Sequence, residues 1–153
     1  MVRITKDADY AIVLLARIAH DEQGGVLTAR DLAEKTGLPA PMVSKILKAL
    51  TRGGLLTSVR GAKGGYALVR QLDEISVANV IEVLEGPIAL TQCWEVGHDG
   101  NCGIESICPV RSPWSMVNKA IWQTLSNIQL AEMVNPFRPY YVPTMSDGKE
   151  RAQ

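Results

Sequence analysis

The sequence has no segment of the kind that crosses a membrane. Its longest apolar run, Ala11 to Ala16, is far shorter than the roughly 20 residues that a membrane-spanning helix needs. Acidic residues stand near the N-terminus, where a signal peptide would carry its apolar stretch. We therefore expect a cytoplasmic protein with no membrane partner, and its 153 residues are enough to bury a hydrophobic core.

The motifs of enzymes are missing as well. No nucleophile lies in a pattern with a base, and no metalloprotease or nucleotide-binding motif occurs. The one glycine-rich segment, near Gly64, is not followed by a helical pattern, so a phosphate-binding loop is a poor interpretation of it. These absences predict that the protein is not an enzyme.

Acidic residues are also absent from one long stretch, although the net charge of the whole chain is zero. Residues 36–72 contain no Asp or Glu, but their basic residues are Lys45, Lys48, Arg52, Arg60, Lys63 and Arg70. Residues 1–72 carry eleven Lys or Arg against six Asp or Glu, and residues 73–153 carry five against ten. This division favours a polyanion-binding half followed by a regulatory or dimerising half, with a merely solvated surface as the alternative.

Hydrophobic periodicity predicts a mainly α fold that begins with a winged helix-turn-helix. A buried first helix is expected from Thr5 to His20, a second from Thr28 to Gly37 and a third from Pro41 to Gly53. The apolar residues of the third helix, at i, i+3, i+4 and i+7, are Val43, Ile46, Leu47 and Leu50. A short turn between two such helices is typical of the helix-turn-helix that binds DNA.

Two strand candidates, Leu55 to Val59 and Tyr66 to Val69, follow and predict a hairpin, or wing, with a cationic tip. A glycine-rich tip allows close approach to a neighbour, and a narrow minor groove attracts basic side chains. The outward face of the third helix offers short polar and long basic side chains, which suit base edges and phosphates. That face holds Met42, Ser44, Lys45, Lys48 and Arg52, and the wing tip adds Arg60 and Lys63. An ordinary solvated helix face is the alternative, although such a face usually carries Glu as well.

The second half predicts a dimerisation unit and a tail. A fourth helix is expected from Ile75 to Glu85, and a long fifth helix begins at Ser112. An apolar seam on the fifth helix consists of Trp114, Val117, Ile121, Leu125 and Ile128. Such a seam indicates a helix that packs against a partner, and a homodimer that binds two DNA half-sites is the simplest arrangement. We therefore divide the chain into a DNA-binding domain (1–72), a cysteine loop with a long C-terminal dimerisation helix (73–134) and a disordered tail (135–153).

All three cysteines, Cys93, Cys102 and Cys108, lie in one polar, glycine-rich loop between the fourth and fifth helices. An odd number of cysteines in a cytoplasmic protein argues against structural disulfides and favours metal binding or redox chemistry. Eight residues separate the first two cysteines and five the last two. Zinc sites prefer closer pairs, so zinc is a weaker choice of metal, and three cysteines without a metal are weaker still. A small metal-thiolate redox or electron-transfer protein, whose basic half docks an acidic partner, is the competing functional hypothesis.

Three features occur together: the N-terminal Arg3 to Lys6, the wing sequence Ser58 to Gly61 with Gly64 to Tyr66, and a three-cysteine loop before a long helix. Over residues 2–134 the chain thereby resembles the Rrf2 family of winged-helix transcriptional regulators, whose best-known type is an iron–sulfur sensor. Its loop looks closest to the regulators of the SUF cluster-assembly operon. The resemblance implies a homodimer that binds double-stranded promoter DNA, with an affinity altered by cluster status. If the chain is such a regulator, the alternative to a cluster sensor is a zinc- or thiol-based regulator without a cluster.

The resemblance also implies roles for individual residues. Cys93, Cys102 and Cys108 would be cluster ligands, with [2Fe-2S] favoured over [4Fe-4S]. Ser44, Lys45, Arg60 and Gly61 match positions that touch DNA in the family. Arg111 stands where the best-known type has a histidine ligand, and the first cysteine gap is longer. Asp9 matches a position that supplies a carboxylate ligand from the partner subunit in the nitric-oxide-sensing branch, so it is a candidate for the fourth ligand, with His98 and an exogenous or different ligand as the alternatives.

Overall fold

A computed structural model describes residues 3–21, 26–61, 64–91 and 102–134, which form six α-helices and a two-stranded hairpin. In chain order the elements are α1 (Lys6–Asp21), α2 (Ala29–Thr36), α3 (Ala40–Arg52), β1 (Leu56–Val59), β2 (Gly65–Leu68), α4 (Val77–Glu85), α5 (Arg111–Ser126) and α6 (Leu130–Met133). One-turn 3-10 helices lie at Leu72–Glu74 and Glu105–Ile107. The predicted mainly helical winged-helix architecture is confirmed, and in the described ranges no helix is long and apolar enough to span a membrane.

The core is built from the apolar stripes of the helices that precede and follow the wing. Its α1 members are Ala8, Ala11, Leu14, Leu15 and Ile18, and its α3 members are Val43, Ile46, Leu47 and Leu50. Burial of a Leu, Ile or Val side chain of this kind contributes roughly 1.5–3 kcal/mol. The predicted stripe of α3 is thus confirmed, and its burial leaves the opposite face of α3 in solvent.

The wing is an antiparallel pair in which Leu56 lies opposite Leu68 and Val59 opposite Gly65. The main chain of Leu27 extends the pair, because the Tyr66 N–H donates to the Leu27 carbonyl at 2.8 Å. A Cβ on Gly65 would lie 2.6 Å from that same carbonyl oxygen. Glycine at this position therefore lets the segment before α2 hold the wing against the helices.

Asp21, the last residue of α1, joins α1 to α2. Its carboxylate accepts hydrogen bonds from the Lys35 ammonium at 2.7 Å and from Arg17 Nε at 2.9 Å. The bond from Lys35 is the largest cause that lowers the pKa of Asp21, to about 2 from the usual 3.8, with His20 and Arg17 acting in the same direction. A carboxylate whose pKa is lower in the folded state stabilises the fold only while it is ionised.

We expect Asp21→Asn to lower the melting temperature at neutral pH. The depressed pKa means that the contribution of this carboxylate is fully present above pH 3.8 and is lost as the pH falls toward about 2. The difference between wild type and variant should therefore shrink across that window in thermal unfolding followed by circular dichroism. Glu34→Gln, which removes a more exposed carboxylate paired with Arg30, is the control. An equal loss in both variants, or a difference independent of pH, would contradict this role for Asp21.

Part of the apolar seam predicted on α5 packs within its own chain. Leu125 and Ile128 contact the core, and Ile121 lines a cavity of about 390 Å³ shared with the end of α4. Trp114 and Val117 remain exposed. The prediction that the whole seam faces a partner is therefore wrong for its C-terminal part, since α4 occupies that side of α5.

The C-terminal part of the seam packs within its own chain because the chain reverses direction after α5. The Val77 N–H donates to the Ile128 carbonyl at 3.0 Å, and the Leu130 N–H donates to the Ile75 carbonyl at 2.8 Å. These bonds return the chain to the start of α4 and bury Leu130 completely. The short helix α6 that follows was not expected from the sequence.

Candidate nucleic-acid interface and cysteine site

The exposed face of α3 carries the cations predicted to contact DNA. Lys45 and Lys48 are exposed and Ser44 is half-buried beside them. Arg52 is exposed at the C-terminal end of the same helix. Met42, predicted on this outward face, instead packs against the core, so the interpretation of Met42 is corrected. The exposed side chains of this face are therefore cationic, with the Ser44 hydroxyl beside them.

The wing tip has a backbone that only glycine accommodates at two positions. Gly61 has a φ of 116°, in the left-handed region, and its carbonyl accepts a hydrogen bond from the Gly64 N–H at 2.9 Å. A Cβ on Gly64 would lie 2.3 Å from the Val59 carbonyl oxygen. This tight turn leaves Arg60 exposed at the tip. Lys63, also predicted to contact DNA, lies outside the described residues.

A surface cleft of about 420 Å³ separates the C-terminal half of α3 from the wing. Its lining residues are Lys48, Thr51, Arg52, Ser58 and Tyr66. Two cations and several hydroxyl groups around one cleft are suited to phosphate oxygens, which accept hydrogen bonds from both. Tyr66 and Thr51 were not predicted as part of the site. The hairpin register places Ser58 opposite Tyr66, and this signal could have identified Tyr66 from the sequence.

One predicted DNA-contacting cation is engaged by a carboxylate of the same chain. The Lys45 ammonium forms an ion pair with Asp7 Oδ2 at 2.5 Å. Asp7 lies in the first turn of α1, where its charge also suits the positive end of the helix dipole. The two residues are 38 positions apart in the sequence, so the pair depends on the packing of α1 against α3.

Cys102 and Cys108 are both free thiols, half-buried, at the two ends of the segment that contains the 3-10 helix Glu105–Ile107. Thiolates are the ligands that iron–sulfur clusters use, so the donors present are chemically suited to that group. Cys93 and His98 lie outside the described residues. Asp9 is exposed in the first turn of α1, and within the described ranges no three His, Cys, Asp or Glu side chains gather as a metal site. Of the predicted ligands, the described residues therefore include Cys102 and Cys108 on one short segment and Asp9 on α1.

The segment that leads toward Cys93 is anchored to α5 by a buried amide. Asn118 is only 6 % exposed, and its Oδ1 accepts a hydrogen bond from the Leu90 N–H at 2.9 Å. Its Nδ2 has no hydrogen-bond partner among the described residues, which is uncommon for a buried donor. Nearby, Trp122 Nε1 donates to Glu82 at 2.8 Å and fixes α5 to α4. The chain at Leu90, before the cysteine loop, is therefore held to the same helix that carries the exposed apolar side chains.

Trp114, Val117 and Trp122 lie within about 140° of one another around α5 and form what we call the α5 apolar surface, whereas the exposed Met116 lies on the opposite side of the helix from Trp114. Ile104, Ile107 and Val110 just before α5 are exposed as well. A concentration of large apolar residues on one exposed helix and its approach is typical of a protein–protein contact. The surface favours the predicted dimer, with the contact on this side of α5.

Known proteins with similar sequences and folds include DNA-binding regulators, in agreement with the predicted helix-turn-helix and wing. A family model described as Rrf2, an iron-dependent transcriptional regulator, matches residues 4–136. The helix-turn-helix transcriptional regulator IscR of Serratia proteamaculans is 31% identical over 134 residues, which cover 88% of this chain and 80% of that protein.

Solved structures show the same fold. IscR of T. potens matches with a TM-score of 0.64 at 26% identity, over 99% of this chain and 92% of that chain. CymR, the global cysteine regulator of B. subtilis, matches with a TM-score of 0.66 at 26% identity, over 88% of this chain and 97% of that chain. The family model, the Serratia relative and CymR are described as regulators and not as enzymes, in agreement with the prediction made from the missing catalytic motifs.

Proposed function

The chain belongs to the Rrf2 family of DNA-binding transcriptional regulators, and from this premise we propose that it senses iron–sulfur cluster status through its three cysteines. We propose further that it acts as a homodimer on promoters of cluster-assembly genes, as SUF-type regulators do. The observation that carries the proposal is the pair of free, half-buried thiols, Cys102 and Cys108, on one segment next to α5. The family model's description as iron-dependent supports an iron-containing group at these thiols.

DNA binding is assigned to α3 and the wing. Ser44, Lys45 and Lys48 would meet the major groove, because α3 is the second helix of the helix-turn-helix. Arg60, Gly61 and Lys63 would meet the adjacent backbone or minor groove at the wing tip. The cleft between α3 and the wing would then take a phosphate of the strand that passes between the two contacts.

The cluster is assigned to Cys93, Cys102 and Cys108, with Asp9 of the partner subunit as the fourth ligand. We favour [2Fe-2S] over [4Fe-4S]. When bound, the cluster would supply a group whose redox state and loss report iron, oxygen or nitric oxide. A carboxylate is a poorer match than sulfur for cluster iron, so a site with one such ligand releases its cluster readily, which suits a sensor.

We assign the two functions to the two predicted parts of the chain, with DNA contacts in residues 1–72 and sensing and dimerisation in residues 73–134. Asn118 would hold the chain to α5 at Leu90, before the cysteine loop, so that a change in the loop alters the contact between protomers. The spacing of the two helix-turn-helix units would then change, and with it the DNA affinity. Coupling between two sites of this kind is typically about 1–3 kcal/mol, or roughly 5–150-fold in affinity.

A second candidate is a thiol-based regulator without a cluster. It is favoured by the free state of Cys102 and Cys108 and by the structural likeness to CymR, which is described as a cysteine regulator. The two candidates differ in what the purified protein contains. A cluster sensor holds iron and acid-labile sulfide, whereas a thiol-based regulator holds neither.

We expect Lys48→Ala and Arg60→Ala each to weaken binding to promoter DNA roughly five- to tenfold, since each removes a phosphate contact. Each variant should also flatten the dependence of log affinity on log salt by about 0.9 through the loss of counterion release. Fluorescence anisotropy at several salt concentrations measures both effects. Lys119→Ala, which removes an exposed lysine on α5, is the matched control and should bind as wild type does. Binding that is insensitive to salt, or an equal loss in the control, would contradict the assigned interface.

A further inference from the structure

Asp7 and Lys45 form the only ion pair in the described ranges that joins α1 to α3. The Lys45 side chain is 72% exposed, whereas the Asp7 side chain is 29% exposed. The carboxylate is therefore held against the protein, while the ammonium lies at the end of a flexible stem in solvent. Lys45 is thus free to leave Asp7 for another anion without disturbing the core.

We propose that Asp7 is an affinity-determining residue that occupies the Lys45 ammonium in the free protein and must be displaced by a DNA phosphate or base acceptor. A carboxylate oxygen and a phosphate oxygen are the same kind of acceptor for an ammonium group. Each binding event then exchanges one partner of Lys45 for another instead of adding a new one. The inference rests on the proposed position of Lys45 at the DNA.

The exchange has two consequences for affinity. Breaking an exposed ion pair offsets part of the new contact. The uncovered Asp7 carboxylate also remains near the DNA phosphates and repels them, an effect that salt screens over about 10 Å at 0.1 M. Replacement of the carboxylate by the isosteric amide of asparagine removes the repulsion and leaves Lys45 at most a weaker, uncharged acceptor.

Asp7→Asn should therefore bind DNA about three- to tenfold more tightly than wild type at low salt, and the gain should shrink as salt is raised. The probe is a duplex selected by the wild-type protein from a randomised pool, and all variants are purified anaerobically in parallel. Lys45→Ala should bind more weakly than wild type. In the Lys45→Ala background, Asp7→Asn should change affinity by less than about twofold, because the two residues act on one another.

Glu34→Gln is the control for loss of a negative charge, because it also removes a carboxylate from an ion pair, the one with Arg30 within α2, and its affinity should not rise. A lower affinity for Asp7→Asn would overturn the inference and make Asp7 a residue that positions Lys45. A gain that persists in the Lys45→Ala background would overturn it in favour of general repulsion. If Lys45→Ala binds DNA as tightly as wild type does, the proposed contact between Lys45 and DNA is wrong. The inference about Asp7 is then wrong as well.

Discussion

Cys102→Ala and Cys108→Ala are each expected to make the anaerobically purified protein colourless. Wild type should show visible charge-transfer absorption with iron and acid-labile sulfide, because thiolates hold clusters and few other ligands replace them. Removal of one of three thiolates should lower bound iron roughly tenfold or more, since metal affinity responds steeply even to changes outside the direct ligands. Absorption spectra and iron analysis measure this directly, and Cys93→Ala should behave in the same way.

Ser106→Ala is the matched control, because Ser106 is exposed on the same short segment between the two cysteines. It should keep its colour and its iron. All the cysteine variants should still bind DNA with a salt-dependent affinity, since the contacts on α3 and the wing remain. Wild-type protein that is colourless and contains zinc, or no metal, would reject the cluster and leave the thiol-based regulator in its place.

Local patterns made much of the fold predictable. The stripe of α3 follows from a 3.6-residue period. The start of α2 follows from a capping box, in which the Thr28 N–H donates to Asp31 Oδ2 at 2.9 Å and the Asp31 N–H donates to Thr28 Oγ1 at 3.1 Å. The end of α2 follows from Gly37, whose φ is 72°. Each of these signals lies within a few residues, so a single sequence is enough to find it.

The parts that were missed depend on distant residues. The return of the chain after α5 rests on the bond between Leu130 and Ile75, and four residues of α6 are too few to show a period. The position of Met42 depends on how α3 is rotated against the core. The pairing of Lys45 with Asp7 spans 38 positions and no local pattern records it. Composition identified the cations of the site, but only the packing shows which of them is already engaged.

Val117→Glu is expected to turn a dimer into a monomer and to reduce promoter affinity by roughly 10²–10⁴-fold. Val117 is 41% exposed on the α5 apolar surface, so its substitution leaves the protomer folded but places a carboxylate in the contact with the partner. An unpaired charge in an apolar contact is strongly unfavourable. Two linked helix-turn-helix units bind with a high effective concentration, and a monomer loses that advantage entirely. Sedimentation velocity measures the mass, and anisotropy measures the affinity.

Gln123→Glu is the control because it adds one negative charge to the same helix, on a different side. Gln123 is exposed and lies six residues after Val117, which places it about 240° around the helix axis. It should remain dimeric and bind DNA close to the wild-type affinity. A monomeric wild type at micromolar concentration, or a Val117→Glu variant that stays dimeric, would show that the α5 apolar surface is not the contact between protomers. The sensing mechanism would then need another route from the cysteines to α3, because the proposed route passes through α5 and the bond between Asn118 and Leu90.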